Sequence, residues 1–138
     1  MWINYKNVLE IINGNNSCFS EICRSAGRFT GKDPEPRDGI SSGHMPLSLN
    51  TPFGDYINQT SGMFKEKDEI IKYLEEKGVW PIKNDKEVAF SCESSVTAAV
   101  GMFALEHIVG VPPKQLRVYQ GSWTEYATQK SSKIINNI

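Results

Sequence analysis

Glu87-Val-Ala-Phe-Ser-Cys92, Glu93-Ser-Ser-Val-Thr97 and the twelve residues from Ala98 to Val109 decide the fold of this chain. The first segment is a short apolar run, the pattern of a strand buried on both faces. The second is a tight loop. The third predicts a helix with Val100, Phe103, Ala104 and Ile108 on one side, closed by Gly110 and Pro112-Pro113. A cysteine thus ends a buried strand and opens the turn into a helix. Backbone N–H groups converge there, and the positive end of the helix dipole favours a thiolate. Such a cysteine can carry a sulfane sulfur as a persulfide, or attack phosphorus or a carbonyl. It can equally be a small buried hydrophobe.

Working outward, the same alternation repeats. Residues 4–13 predict a helix through Tyr5, Val8, Leu9 and Ile12, with Gly14 as its stop. Residues 18–23 read as a short, polar strand. Residues 24–46 read as a long loop rich in Gly, Pro, Ser and charge, a length more often functional or disordered than merely connecting. A strand follows at 47–50. Residues 64–77 predict an amphipathic helix with Ile70, Ile71 and Leu74 inward and Gly78 as C-cap. Leu116 to Tyr119 is a last strand, and a short helix from Trp123 to Thr128 opens at Ser122. Strands alternating with helices predict an α/β domain with a mainly parallel sheet, its ligands at the carboxyl ends of the strands.

Composition narrows the function classes. The 138 residues are 39% apolar and 22% charged, with eleven glycines and seven prolines, and they suit a single globular domain. Fifteen basic against sixteen acidic residues leave a formal charge of −1, so no basic excess points to nucleic acid or an anionic membrane. No apolar run approaches the ~20 residues that span a bilayer. The first residues lack the basic and apolar regions of a secretory signal. The three cysteines, Cys18, Cys23 and Cys92, form no CxxC pair, which suggests a reducing compartment, cytosol or mitochondrion, rather than secretion. The glycosylation-type triplets at Asn15 and Asn58 then carry little meaning. The loop after Cys92 excludes one chemistry. Cysteine phosphatases need Cys-x5-Arg, but the sixth position is Ala98, with no Arg or Lys between.

Four segments, in order, carry a resemblance: Arg24-Ser-Ala-Gly-Arg-Phe-Thr-Gly-Lys-Asp-Pro-Glu-Pro-Arg37, Ser42-Gly-His-Met-Pro46, Cys92-Glu-Ser-Ser-Val-Thr97 and Gly121-Ser-Trp-Thr-Glu125. With their spacing, the chain from 24 to 125 resembles the rhodanese superfamily, in particular the C-terminal catalytic domain of thiosulfate and 3-mercaptopyruvate sulfurtransferases. The resemblance implies a single rhodanese-like α/β domain over residues 1–138, with a parallel sheet of about five strands and helices on both faces. It implies sulfur transfer through a persulfide on Cys92, cradled by the backbone of Glu93, Ser94, Ser95, Val96 and Thr97. Ser94 corresponds to a proton-relaying serine of the mercaptopyruvate branch. Arg28 and Arg37 correspond to the arginines that hold the substrate carboxylate, a planar group suited to guanidinium forks. A small anionic sulfur donor and a thiol, cyanide or protein acceptor follow as partners. No nucleic acid, membrane, metal or organic cofactor is implied.

The loop has no basic residue, and Glu93 would repel the thiosulfate dianion, which favours 3-mercaptopyruvate as donor. His44 reads as structural, His107 as a capping or packing residue, and Trp123 as an aromatic set by the Gly-Ser-Trp turn. Three departures are visible: Glu93 and Ser95 stand where the mercaptopyruvate branch has glycine, Ile22 stands where the family has aspartate, and the relatives are about twice as long, with an N-terminal domain over the pocket. They keep a second expectation open, a rhodanese-fold binding or regulatory module that is catalytically weak or inactive.

Overall fold

The computed structural model describes residues 2–13, 18–21, 26–83, 86–92 and 97–136, with residues 18–21 as backbone. The strands are β1 (Trp2–Ile3), β2 (Cys18–Glu21), β3 (Ser48–Asn50), β4 (Val88–Ser91) and β5 (Leu116–Tyr119). They lie in one sheet in the order β1-β5-β4-β2-β3, and every neighbouring pair is parallel. The central trio β2, β4 and β5 has four residues per strand; the edge strands are shorter.

Alternation along β4 and β5 sorts the core into two layers. Val88, Phe90, Leu116 and Val118 pack with Ile70 and Leu74 of helix α3 (Lys67–Lys77) and with Ala98 and Met102 of α4 (Ala98–Phe103). Ala89 and Tyr119 pack on the opposite face with Val8 and Ile11 of α1 (Tyr5–Ile12) and with Trp123 and Tyr126 of α5 (Ser122–Thr128). Helices therefore cover both faces, which explains why β4 is buried at all four positions.

Local chemistry sets the helix ends. Asn4 and Asn7 exchange side-chain and backbone hydrogen bonds of 3.0 Å in a reciprocal capping box at the start of α1. Gly78 ends α3 in the left-handed conformation, φ 84°, as its sequence position predicts.

Two expectations need correction. The 24–46 stretch is not all loop, because α2 (Ala26–Thr30) lies inside it. The helix from 98 to 109 has the predicted span, and Val100, Ala104 and Ile108 pack on the core as expected, but Phe103 does not. The helix widens to π-helical geometry over Ala104–Val109, and its buried residues are Ala98, Gly101, Met102, Ala104, Leu105 and Val109. Phe103 instead stands 48% exposed, stacked between Phe64 and His107 at ring distances of 5.2 and 4.8 Å. The segment is apolar nearly all the way round, so periodicity alone could not choose its buried face.

Two tyrosines of this fold carry a pH dependence. Burial, and then a 2.7 Å hydrogen bond donated to a carboxylate, pushes both hydroxyls well above the ordinary value near 10: Tyr73 to Asp55 and Tyr119 to Glu125. The folded chain keeps protons there that the unfolded chain has lost, so their contribution to stability is complete below that value and falls as pH rises beyond it. Denaturation midpoints measured up to alkaline pH are expected to drop past pH 10, and less steeply in Tyr119→Phe.

Candidate active site

Strand order locates the site before any side chain is considered. From β2 the chain moves outward to β3, whereas from β4 it moves the other way to β5. The carboxyl ends of the adjacent strands β2 and β4 thus flank the point where the winding reverses, the crevice in which open α/β sheets bind ligands. Glu21 and Ser91 are register partners at this end, and Cys92 is the next residue.

Cys92 is fully buried and belongs to the core layer that also holds Phe90, Ala98 and Met102. Its backbone is held from the start of α5. The Cys92 N–H donates to Ser122 Oγ at 3.3 Å, and its carbonyl accepts the Trp123 N–H at 2.7 Å. Ser122 Oγ in turn donates to the Tyr119 carbonyl at 2.9 Å, closing the turn between β5 and α5. Ser122 adopts φ 53°, a left-handed conformation costly for a non-glycine residue, and its two buried hydrogen bonds offset that cost. Gly121 is needed because the Glu125 carboxylate, fixed by Tyr119, folds into the space a Cβ would fill.

Trp123 extends the grip to the loop that carries the arginines. Its ring is fully buried, and its Nε1–H donates to the Ser41 carbonyl at 2.8 Å. Within that loop, Gly43 N–H donates to the Arg28 carbonyl at 2.8 Å and Asp33 N–H to the Gly27 carbonyl at 3.0 Å. His44 stacks on Phe29 with ring centroids 4.0 Å apart, and its Nδ1–H donates to the Phe29 carbonyl at 2.7 Å. This is the packed, hydrogen-bonded role expected of it.

Arg28 sits on α2 at 24% side-chain exposure, its Nη1 3.6 Å from Oε2 of Glu35, whose side chain is only 1% exposed. At that distance the contact is an ion pair between a buried carboxylate and a partly buried guanidinium rather than a hydrogen bond. Sequence reasoning misses Glu35; the signal it offers is its place between Pro34 and Pro36, both with restricted φ. From the sequence, Ser122 reads only as a helix start. Arg37 is exposed on the same loop. Thr97 stands half-buried at the head of α4, its carbonyl accepting the Val100 N–H at 3.0 Å. Glu93, Ser94, Ser95, Val96 and Ile22 lie outside the described residues. His107 is exposed and pairs with Glu106 at 3.8 Å, remote in sequence from the turn.

No family model matches the chain. It is 40% identical over 106 residues to 3-mercaptopyruvate sulfurtransferase of Homo sapiens, covering 75% of this chain and 32% of that protein. It is 34% identical over 116 residues to thiosulfate sulfurtransferase TUM1 of Saccharomyces cerevisiae, covering 81% and 37%. The crystal structure of Tum1 from Saccharomyces cerevisiae superposes with a TM-score of 0.81 at 28% identity, over 98% of this chain and 46% of the other. The chain is an α/β domain of the rhodanese superfamily. Within it, the relatives are thiosulfate and 3-mercaptopyruvate sulfurtransferases, and the match fits their C-terminal rhodanese domain. The chain spans about a third of the length of the curated relatives it matches.

Proposed function

We propose that this domain transfers a sulfane sulfur from 3-mercaptopyruvate, or from thiosulfate, through a persulfide on Cys92. The observation that carries the reading is the position of Cys92 at the winding reversal, gripped by the same Gly121-Ser122-Trp123 turn that holds the Arg28 loop.

The Cys92 thiolate attacks the sulfur of 3-mercaptopyruvate. The carbon–sulfur bond breaks, its electron pair passes to the 2-oxo acid carbon as an enolate, and the proton from the substrate thiol completes pyruvate, relayed by Ser94. Thiosulfate would release sulfite by cleavage of its sulfur–sulfur bond. Arg28 and Arg37 hold the donor anion. Backbone N–H groups of residues 93–97 stabilise the charge on the persulfide. A thiol, cyanide or protein acceptor then takes the outer sulfur and returns the thiolate. The site works in the cytosol or mitochondrion, with the N-terminal domain of longer relatives as a candidate partner.

Turnover with each donor, read as pyruvate or sulfite release in the presence of cyanide, tests the reading. Activity with 3-mercaptopyruvate above thiosulfate is expected, and none with either would refute it. Arg28→Lys is expected to raise KM for 3-mercaptopyruvate by about tenfold with kcat little changed, because lysine keeps the charge but loses the fork.

The rival reading is a binding or regulatory module with little or no catalysis. The full burial of Cys92 favours it, since that is also how a structural cysteine sits. It predicts a folded chain that forms no persulfide with either donor.

A further inference from the structure

The residues after α5 turn back across the loop that carries Arg28. Ser132 N–H closes a turn on the Gln129 carbonyl at 3.1 Å, and Ser132 Oγ lies 2.9 Å from the Tyr5 hydroxyl. The Tyr126 hydroxyl donates to the Lys133 carbonyl at 2.7 Å. Ile134 packs into the core layer of α1 and α5. Ile135 and His44 exchange both backbone hydrogen bonds, at 3.0 and 2.9 Å, as an antiparallel bridge.

Asn136 follows that bridge, and its side chain lies against two glycines at once. Gly31 and Gly43 have φ of 89° and 119°, where side chains are strained, and Asn136 Oδ1 occupies the space a Cβ on either would need. Both glycines donate their N–H to the Arg28 carbonyl, at 3.3 and 2.8 Å. The backbone of Arg28 is therefore fixed by two residues with unusually wide conformational freedom, and one side chain from the far end of the chain covers both.

We infer that residues 133–136 form a strap that positions Arg28 for its anion, with Asn136 as a positioning residue. The inference rests on the reading of Arg28 as a carboxylate ligand. Asn136 is exposed on its outer side, so its truncation leaves the core intact. With Asn136 gone, the glycine pair samples more conformations, and the guanidinium is less often in place when the anion arrives.

The test uses the full chain and two variants at opposite ends of the strap, Asn136→Ala and Tyr126→Phe. Three quantities are compared with the parent: amide hydrogen exchange at Gly43 and His44, the Kd for pyruvate as carboxylate probe, and KM against kcat for 3-mercaptopyruvate. Exchange at Gly43 and His44 should accelerate about tenfold with β4 amides unaffected, as expected of local rather than global opening. Kd and KM should rise about three- to tenfold with kcat unchanged, the signature of lost anion positioning. Unchanged exchange overturns the strap, and faster exchange with unchanged Kd and KM overturns its action through Arg28. A parent that binds pyruvate but turns over neither donor strikes down the proposed reaction and leaves the strap to be judged on exchange and Kd. A parent that turns over 3-mercaptopyruvate but does not bind pyruvate overturns the strap's action through a carboxylate-holding Arg28, and one that neither binds pyruvate nor turns over either donor overturns both.

Discussion

The Cys92→Ser chain is expected to fold as the parent does and to lose sulfur transfer by at least about a thousandfold, the effect of deleting a covalent nucleophile. Serine fits the fully buried site because the change is one atom, and the hydrogen bonds with Ser122 and Trp123 use only the Cys92 backbone. A hydroxyl at this position cannot accept sulfane sulfur. Thermal denaturation and far-ultraviolet dichroism should therefore match the parent while pyruvate release disappears. A variant that retained turnover would place the nucleophile elsewhere, and one that failed to fold would mark Cys92 as a packing residue.

Trp123→Ala should have the largest effect on stability. The indole is fully buried among Val8, Met45 and Tyr126, stacks on Tyr126 with ring centroids 5.7 Å apart, and ties Ser41 to α5. Truncating a buried aromatic to alanine costs about 3–5 kcal/mol, the lost transfer free energy of the ring plus the cavity it leaves. For a domain of this size that corresponds to a fall in Tm on the order of 10–15 °C. Trp123→Phe separates packing from the tether: it keeps most of the ring volume and removes the Nε1–H bond to Ser41, for a loss of about 1 kcal/mol. Calorimetry of the two variants measures both contributions. Near-equal losses would mean that the Ser41 bond, rather than the ring, dominates.

Strands β4 and β5 and helix α3 are legible in the sequence because burial leaves an apolar run or a helical spacing of apolar residues, whereas β2 is short and polar. Val88 to Ser91, Leu116 to Tyr119 and the Ile70/Leu74 spacing all lie where pattern and capping residues put them. β1 was not legible, since two residues at a sheet edge have no periodicity to read. α2 was hidden for a similar reason. Its five residues include Gly27 and are held by loop hydrogen bonds and by Phe29 stacking on His44, not by an amphipathic face.

The site divides in the same way. Among the candidate residues, Cys92 is legible from residue type and position, while Arg28 and Arg37 follow from the resemblance alone. Their supports are not legible, because Ser122, Ser41, Glu35 and Asn136 act through contacts between distant parts of the chain. Trp123 and Ser41 are 82 positions apart, and no spacing rule joins them. Such polar tethers become visible only when the fold brings backbone carbonyls and side chains together.

Intact-mass spectrometry of the reduced chain after exposure to 3-mercaptopyruvate, and separately to thiosulfate, shows whether Cys92 carries the sulfur. A gain of about 32 Da, one sulfur held covalently, is expected, with 3-mercaptopyruvate as the better donor and no gain in Cys92→Ser. A folded parent chain that gains no sulfur from either donor, or a gain that persists without Cys92, would contradict a persulfide on Cys92.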